Sequence, residues 1–93
     1  PPAHAGVTFY SDANFLGSRM YTWDNPHLGW MNDRASSLHS DGCRWRYYED
    51  SHYRGRRFDS SSDLNYLRGL SHEGLHWGET WDDRISSVRY VYC

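Results

Sequence analysis

Short runs of alternating apolar and polar residues dominate the chain. Val7-Thr-Phe-Tyr10 predicts a strand, the turn residues Ser11-Asp-Ala-Asn14 follow it, and Phe15-Leu-Gly17 closes a hairpin. Gly17 is placed where the backbone needs an angle that other residues dislike. Arg19–Trp23 reads as the return strand and Asp24-Asn-Pro26 as its end, since Pro cannot donate to a central ladder. His27–Trp30 is a short irregular lead, and Ala35–His39 forms a further strand. Arg44–Tyr48 opens a second set, Arg57-Phe-Asp59 returns, and Ile85–Tyr92 closes it, with apolar positions at Ile85, Val88 and Tyr90.

The two sets are copies of one unit. Tyr10-Ser-Asp-Ala-Asn-Phe-Leu-Gly17 recurs as Tyr48-Glu-Asp-Ser-His-Tyr-Arg-Gly55, and Asn32-Asp-Arg-Ala-Ser-Ser37 recurs as Asp82-Asp-Arg-Ile-Ser-Ser87. Tandem repetition in the same order predicts two supersecondary units that bury their apolar faces together. Aligned, Val7 falls over Trp45 and Phe9 over Tyr47, all facing the core, with Thr8 and Arg46 facing out. Four short strands per repeat, with the hairpin first, fit a Greek key. The predicted class is all-β: two Greek keys forming a two-sheet β-sandwich. The expected boundaries are a lead-in over residues 1–5, a first Greek key over about 6–40 and a second over about 43–93.

The copies differ in length. The gap from Gly55 to Asp82 exceeds that from Gly17 to Asn32 by 12 residues, an insertion within Ser60–Thr80. Ser62 predicts the cap of a short helix, with Asp63 at its positive end, Leu64 and Leu67 on one face, and Gly69 stopping it. Ser71–Thr80 reads as a long loop.

Composition narrows the functional classes. Five Trp, eight Tyr and three Phe supply core area that the mean hydropathy of −0.93 conceals. No stretch approaches the roughly 20 apolar residues of a membrane-spanning helix, so no membrane partner is expected. A net charge of −2 argues against a general polyanion binder, and no nucleic-acid partner is expected. The basic residues are all Arg, and five of them (Arg44, Arg46, Arg54, Arg56 and Arg57) interleave with Trp45, Tyr47 and Tyr53. A solvated face offset by Glu49, Asp50 and Asp59 explains them better than a patch for an anionic polymer.

Cys43 precedes the first strand of repeat 2 and Cys93 ends the chain. A Cys43–Cys93 disulfide is expected, the alternative being two free thiols; it implies an extracellular compartment. Ala3-His-Ala5 has the small-x-small form of a signal-peptidase site, in line with secretion. His72 and His76 have the spacing of a zinc-binding helix, but Gly74 opposes a helix and a third ligand is not evident, so a solvated loop is favoured. The Ser-Ser pairs show no adjacent base, and an enzyme is not expected.

Both signatures concentrate hard oxygen donors: carboxylate, amide and hydroxyl. Such donors suit Ca²⁺, whereas isolated Asx-turns would explain one signature but not two in matched register. The paired aromatic-x4-aromatic-x-Gly hairpins, each followed by Asn/Asp-Asn/Asp-x-x-Ser-Ser, resemble a single βγ-crystallin domain of the microbial Ca²⁺-binding type. The resemblance spans about Gly6–Tyr92. It implies a non-enzymatic, often secreted or stress-associated domain holding two Ca²⁺ ions, each with donors from one repeat's signature and the other's first hairpin. The matching positions are Asn32, Asp33, Arg34 and Ser36 in repeat 1 and Asp82, Asp83, Arg84 and Ser86 in repeat 2, with hairpin donors near Asp12 and Asp50. The third signature position is Arg in both repeats: if that position gives only its carbonyl, Arg34 and Arg84 do little harm, and if its side chain takes part, both sites are weakened. Few carboxylates per site imply micromolar affinity. The expected role is structural or stress-protective, in a monomer. A second reading is a secreted protease inhibitor or killer-toxin-like binding protein, using Trp77, Trp81, Leu70 and Leu75 of the 60–80 loop as an anchor for a protein partner.

Overall fold

The computed structural model describes residues 6–70 and 75–93. Its strands are β1 (Val7–Asp12), β2 (Leu16–Thr22), β3 (Ser37–Ser40), β4 (Arg44–Asp50), β5 (Arg54–Ser60) and β6 (Ser87–Tyr92). They form two antiparallel sheets, ordered β2-β1-β3 and β5-β4-β6, so each repeat supplies one sheet.

Each repeat also lends a fragment to the other. Asn25 of repeat 1 bridges Val88 in β6, and Leu64 of repeat 2 bridges Leu38 in β3. These exchanges supply the fourth strand position of each Greek key and lock the sheets face to face. The predicted pattern of inward residues holds. Val7, Phe9, Trp45 and Tyr47 are fully buried together with Leu28, Met31, Leu38, Leu67, Trp81, Ile85 and Val88. The Phe9 and Tyr47 rings meet edge to face, with centroids 6.0 Å apart.

Three local expectations shift. The return strands begin earlier than Arg19 and Arg57, because pairing starts at the turn itself, with Asp12 opposite Leu16 and Asp50 opposite Arg54. The outer strands begin later, at Ser37 and Ser87, since the residues before them belong to the signature loops. The helix expected from Ser62 does not form there. The Asp63 carboxylate instead accepts from the Ser40 N–H at 2.7 Å, and Leu64 is claimed by the bridge to Leu38. The helical turn comes after it, at Leu67–Gly69.

The Cys43–Cys93 disulfide is present, joining residues 50 apart in sequence. It ties the start of β4 to the chain's last residue. Among the described residues no helix is long and apolar enough to cross a membrane.

Candidate metal centre

The hairpin that faces each signature has the same backbone in both repeats. Asn14 and Phe15 in repeat 1, like His52 and Tyr53 in repeat 2, sit in the left-handed region near φ +60°, and Gly17 and Gly55 follow at φ 82° and 80°. A Cβ on Gly17 would fall 2.8 Å from an Asp12 carboxylate oxygen, and one on Gly55 2.7 Å from that of Asp50. At these positive φ values glycine carries the turn without the strain a side chain would bring. The second serine of each signature latches this turn. Ser37 Oγ accepts from Phe15 N–H at 3.0 Å and donates to the Asp12 carbonyl at 2.6 Å. Ser87 Oγ does the same with Tyr53 N–H, at 3.2 Å, and the Asp50 carbonyl, at 2.6 Å.

The signatures then cross between repeats. Asp33 and Asp83 are left-handed, at φ 57° and 58°, a conformation Asp tolerates better than most residues. Asp33 N–H donates to the Ile85 carbonyl at 3.1 Å and Asp83 N–H to that of Ala35 at 2.9 Å. Each signature is thereby hydrogen-bonded to the other.

Two cavities result. The first, of about 330 Å³, is lined by Asp33, Glu49, Asp50, Asp82, Asp83 and Arg84. Beside it the Ser86 hydroxyl donates to Asp33 Oδ1 at 2.8 Å. The second, of about 280 Å³, is lined by Asp12, Ala13, Ser36, Tyr66, Arg68 and Asp82. Seven of the ten expected metal-site residues line a cavity, and the Ser86 hydroxyl bonds to Asp33, which does. Arg34 and Asn32 line neither; Asn32 Nδ2 lies 3.4 Å from Asp33 Oδ2.

Charge is unevenly distributed around the cavities. Arg56 donates to Glu49 through Nε at 3.0 Å and again through Nη2, and its Nη1 donates to Glu79 at 2.6 Å. Arg84 Nη1 lies 3.3 Å from Glu79 and 3.5 Å from Glu49. The Arg56 contacts hold the Glu49 carboxyl below the usual range, and with the His76 N–H they bring that of Glu79 down to about 2. Asp83 moves the other way. Burial raises it, aided by Asp82 and Asp33, against a lowering by Arg68.

Three observations bear on whether a hard cation fits. The donors are carboxylates and hydroxyls on loops, the chemistry Ca²⁺ selects. Burial, with the like charges of Asp82 and Asp33, raises the cost of ionising Asp83, which a bound dication would relieve. Asn32 Oδ1 is buried and, among the described residues, has no hydrogen-bond partner. No group of three or more His, Cys, Asp or Glu among the described residues has the arrangement of an all-side-chain metal cage. A site here must draw on hydroxyls and backbone carbonyls, as Ca²⁺ sites do. The residues fit Ca²⁺ on these terms. Of the zinc-like pair, His72 lies outside the described residues.

No protein-family model and no curated protein matches the sequence. Solved structures do match. A βγ-crystallin from an archaeon is 31% identical, covering 95% of this chain and 99% of its own, with a TM-score of 0.76. The chain belongs to the βγ-crystallin family. A βγ-crystallin domain from Flavobacterium johnsoniae is 25% identical over 95% of this chain and 96% of its own, with a TM-score of 0.69. A βγ-crystallin from Ciona intestinalis, 19% identical over 94% of this chain and all of its own, shares the fold at a TM-score of 0.75.

Sequence reasoning missed four residues around these βγ-crystallin cavities. Glu49 has a signal: it precedes Asp50 where Ser11 precedes Asp12. Tyr66, Arg68 and Glu79 come from the insertion and have no such marker. Two of the five arginines in the hairpin form ion pairs. Arg46 meets Asp59 through two hydrogen bonds, at 2.7 and 3.0 Å, and Arg56 meets Glu49 and Glu79. The expected insertion anchor divides. Trp81 is fully buried and Leu70 and Leu75 pack on the core, while Trp77 is wholly exposed.

Proposed function

We propose that this βγ-crystallin domain is a secreted, non-catalytic Ca²⁺-binding module with two sites, in which Ca²⁺ stabilises the native fold in a structural or stress-protective role. The observation that carries the reading is the first cavity. Asp33 of one signature stands against the Ser86 hydroxyl of the other, beside Asp50, Asp82 and Asp83. The two signatures and one hairpin are far apart in sequence, and cross-bonded backbones hold them in register. The matched latch of Ser37 on the Asp12 carbonyl, beside the cavity that Asp12 and Ser36 line, supports a second site. The disulfide is consistent with an oxidising, extracellular setting, where Ca²⁺ is plentiful.

When bound, Ca²⁺ supplies positive charge between carboxylates that otherwise repel. Asp33 and Asp83 bring charge, Ser36 and Ser86 bring hydroxyls, and the hairpins at Asp12 and Asp50 bring backbone carbonyls. Arg84 need not oppose this, because Glu49 and Glu79 face its guanidinium. Equilibrium dialysis against Ca²⁺ tests the assignment. Asp33→Ala and Asp83→Ala, both in the first cavity, are each expected to remove that site with little change in the metal-free fold. Two intact sites in the double variant would refute it.

Trp77 alone favours a second reading, a protein partner engaged through the insertion, since it is wholly exposed and Trp is among the residues that most often anchor interfaces. Trp77→Ser would then abolish partner binding and leave the thermal melt unchanged.

A further inference from the structure

The two repeats place different residues at one matched pair of positions. Leu28 N–H donates to the Ser86 carbonyl at 3.1 Å, and Leu67 N–H donates to that of Ser36 at 3.0 Å. Met31 N–H then returns to Leu28, and Leu70 N–H to Leu67, so Leu28 and Leu67 occupy equivalent places. The next residue is Gly29 in repeat 1 and Arg68 in repeat 2. The first signature residue differs as well, being neutral Asn32 in repeat 1 and Asp82 in repeat 2. Both differences meet in space: Arg68 Nη2 lies 3.4 Å from Asp82 Oδ2, and both residues line the second cavity with Asp12 and Ser36. The Asp82 side chain is only 11% exposed, whereas that of Arg68 is 69% exposed and free to swing away.

We infer that Arg68 is a tethered cation that competes with Ca²⁺ at the second site, making it the weaker of the two. This rests on the Ca²⁺ reading above. A buried carboxylate needs a counter-charge, and in the metal-free protein the guanidinium provides it. A dication entering the cavity must displace Arg68 or bear its repulsion. The first cavity differs, because the guanidinium at its edge, Arg84, is paired with two glutamates. The gain from neutral Asn32 to Asp82 and the gain from Gly29 to Arg68 therefore offset one another, and the pair leaves a site whose affinity is set by a movable side chain.

Calcium titration calorimetry on chelator-treated protein tests this. Backbone amide shifts of Ser36 and Ser86 assign each binding event to its cavity. In Arg68→Gln the event at Ser36 is expected to tighten by about five- to tenfold at low ionic strength, more than the event at Ser86, with the gain shrinking at high salt. In an Asp82→Asn background the same Arg68→Gln change is expected to alter affinity less than twofold. A second-site affinity within twofold of native in Arg68→Gln overturns the inference while leaving the Ca²⁺ reading intact. An equal gain in both backgrounds overturns the pairing with Asp82. Absence of Ca²⁺ uptake by the native protein and by Arg68→Gln overturns the functional reading and this inference together.

Discussion

Repeat 1 turns its hairpin through Asn14, Phe15 and Gly17 and pins it with Ser37; repeat 2 uses His52, Tyr53 and Gly55 and pins it with Ser87. The serine-to-carbonyl bonds are 2.6 Å in both. Around this shared frame the two repeats carry different loads. Repeat 2 has the disulfide, the insertion and a network of Glu49, Arg56, Glu79 and Arg84, where the repeat 1 hairpin carries Ser11 in place of Glu49. Backbone geometry thus follows the repeat, whereas electrostatics follows the individual residues. Two sites with one architecture then differ in what competes for them.

The largest expected difference is the disulfide. Cys43→Ser should cost about 4 kcal/mol in the chain-entropy picture for a loop of this length, read as the drop in urea unfolding free energy. If the loss is under about 1 kcal/mol, the end of repeat 2 is held by its strand pairing instead. The latch serines should be alike: Ser37→Ala and Ser87→Ala each leave a backbone N–H and a carbonyl without their partner, at about 1–3 kcal/mol apiece by thermal melt. Costs differing by more than about 1 kcal/mol would break the equivalence of the repeats.

A smaller effect runs the other way. Tyr47 occupies the place of Phe9, yet its hydroxyl is buried with no hydrogen-bond partner among the described residues, and burial pushes its ionisation far up. Tyr47→Phe should stabilise the protein by about 1 kcal/mol in denaturant melts. Destabilisation would mean the hydroxyl contributes packing that outweighs its desolvation.

The smallest expected effect is in pH dependence. Glu49, Asp59 and Glu79 are held below their ordinary values by Arg56 and Arg46, so their stabilisation is complete above the unfolded carboxylate range, near pH 4. It is lost as pH falls through their folded values, towards about 2 for Glu79. Asp83 has the opposite sense: its raised value makes its charge a cost in the metal-free state, relieved as pH falls. Melts from pH 7 to pH 2 should therefore show Arg56→Gln flattening the acid limb and Asp83→Asn leaving it in place. An acid limb unchanged in Arg56→Gln would place the sensitivity outside this network.

Much of the frame was legible because it repeats. Val7, Phe9, Trp45 and Tyr47 alternate with period two, and the duplicated hairpins and signatures fixed the order of strands and the aspartates facing the cavities. What was not legible depends on long-range partners. Ser62-Asp-Leu reads locally as a helix start, but the Leu38 backbone and the Ser40 N–H take Leu64 and Asp63 first. Trp77 and Trp81 lie in one aperiodic loop, so nothing in their spacing says that one is core and the other is solvent. The pairing of Arg68 with Asp82 and of Arg84 with Glu49 joins residues whose meeting only the fold decides.

The most direct test of Ca²⁺ as a stabilising ligand is a thermal melt of the chelator-treated protein with and without Ca²⁺ at a hundredfold excess over its dissociation constant, measured by calorimetry. One filled site should add roughly 2.7 kcal/mol, and the midpoint should rise by about 10 °C or more. An unchanged midpoint with no heat of binding would mean that the paired signatures are turns held by their own hydrogen bonds and bind no Ca²⁺.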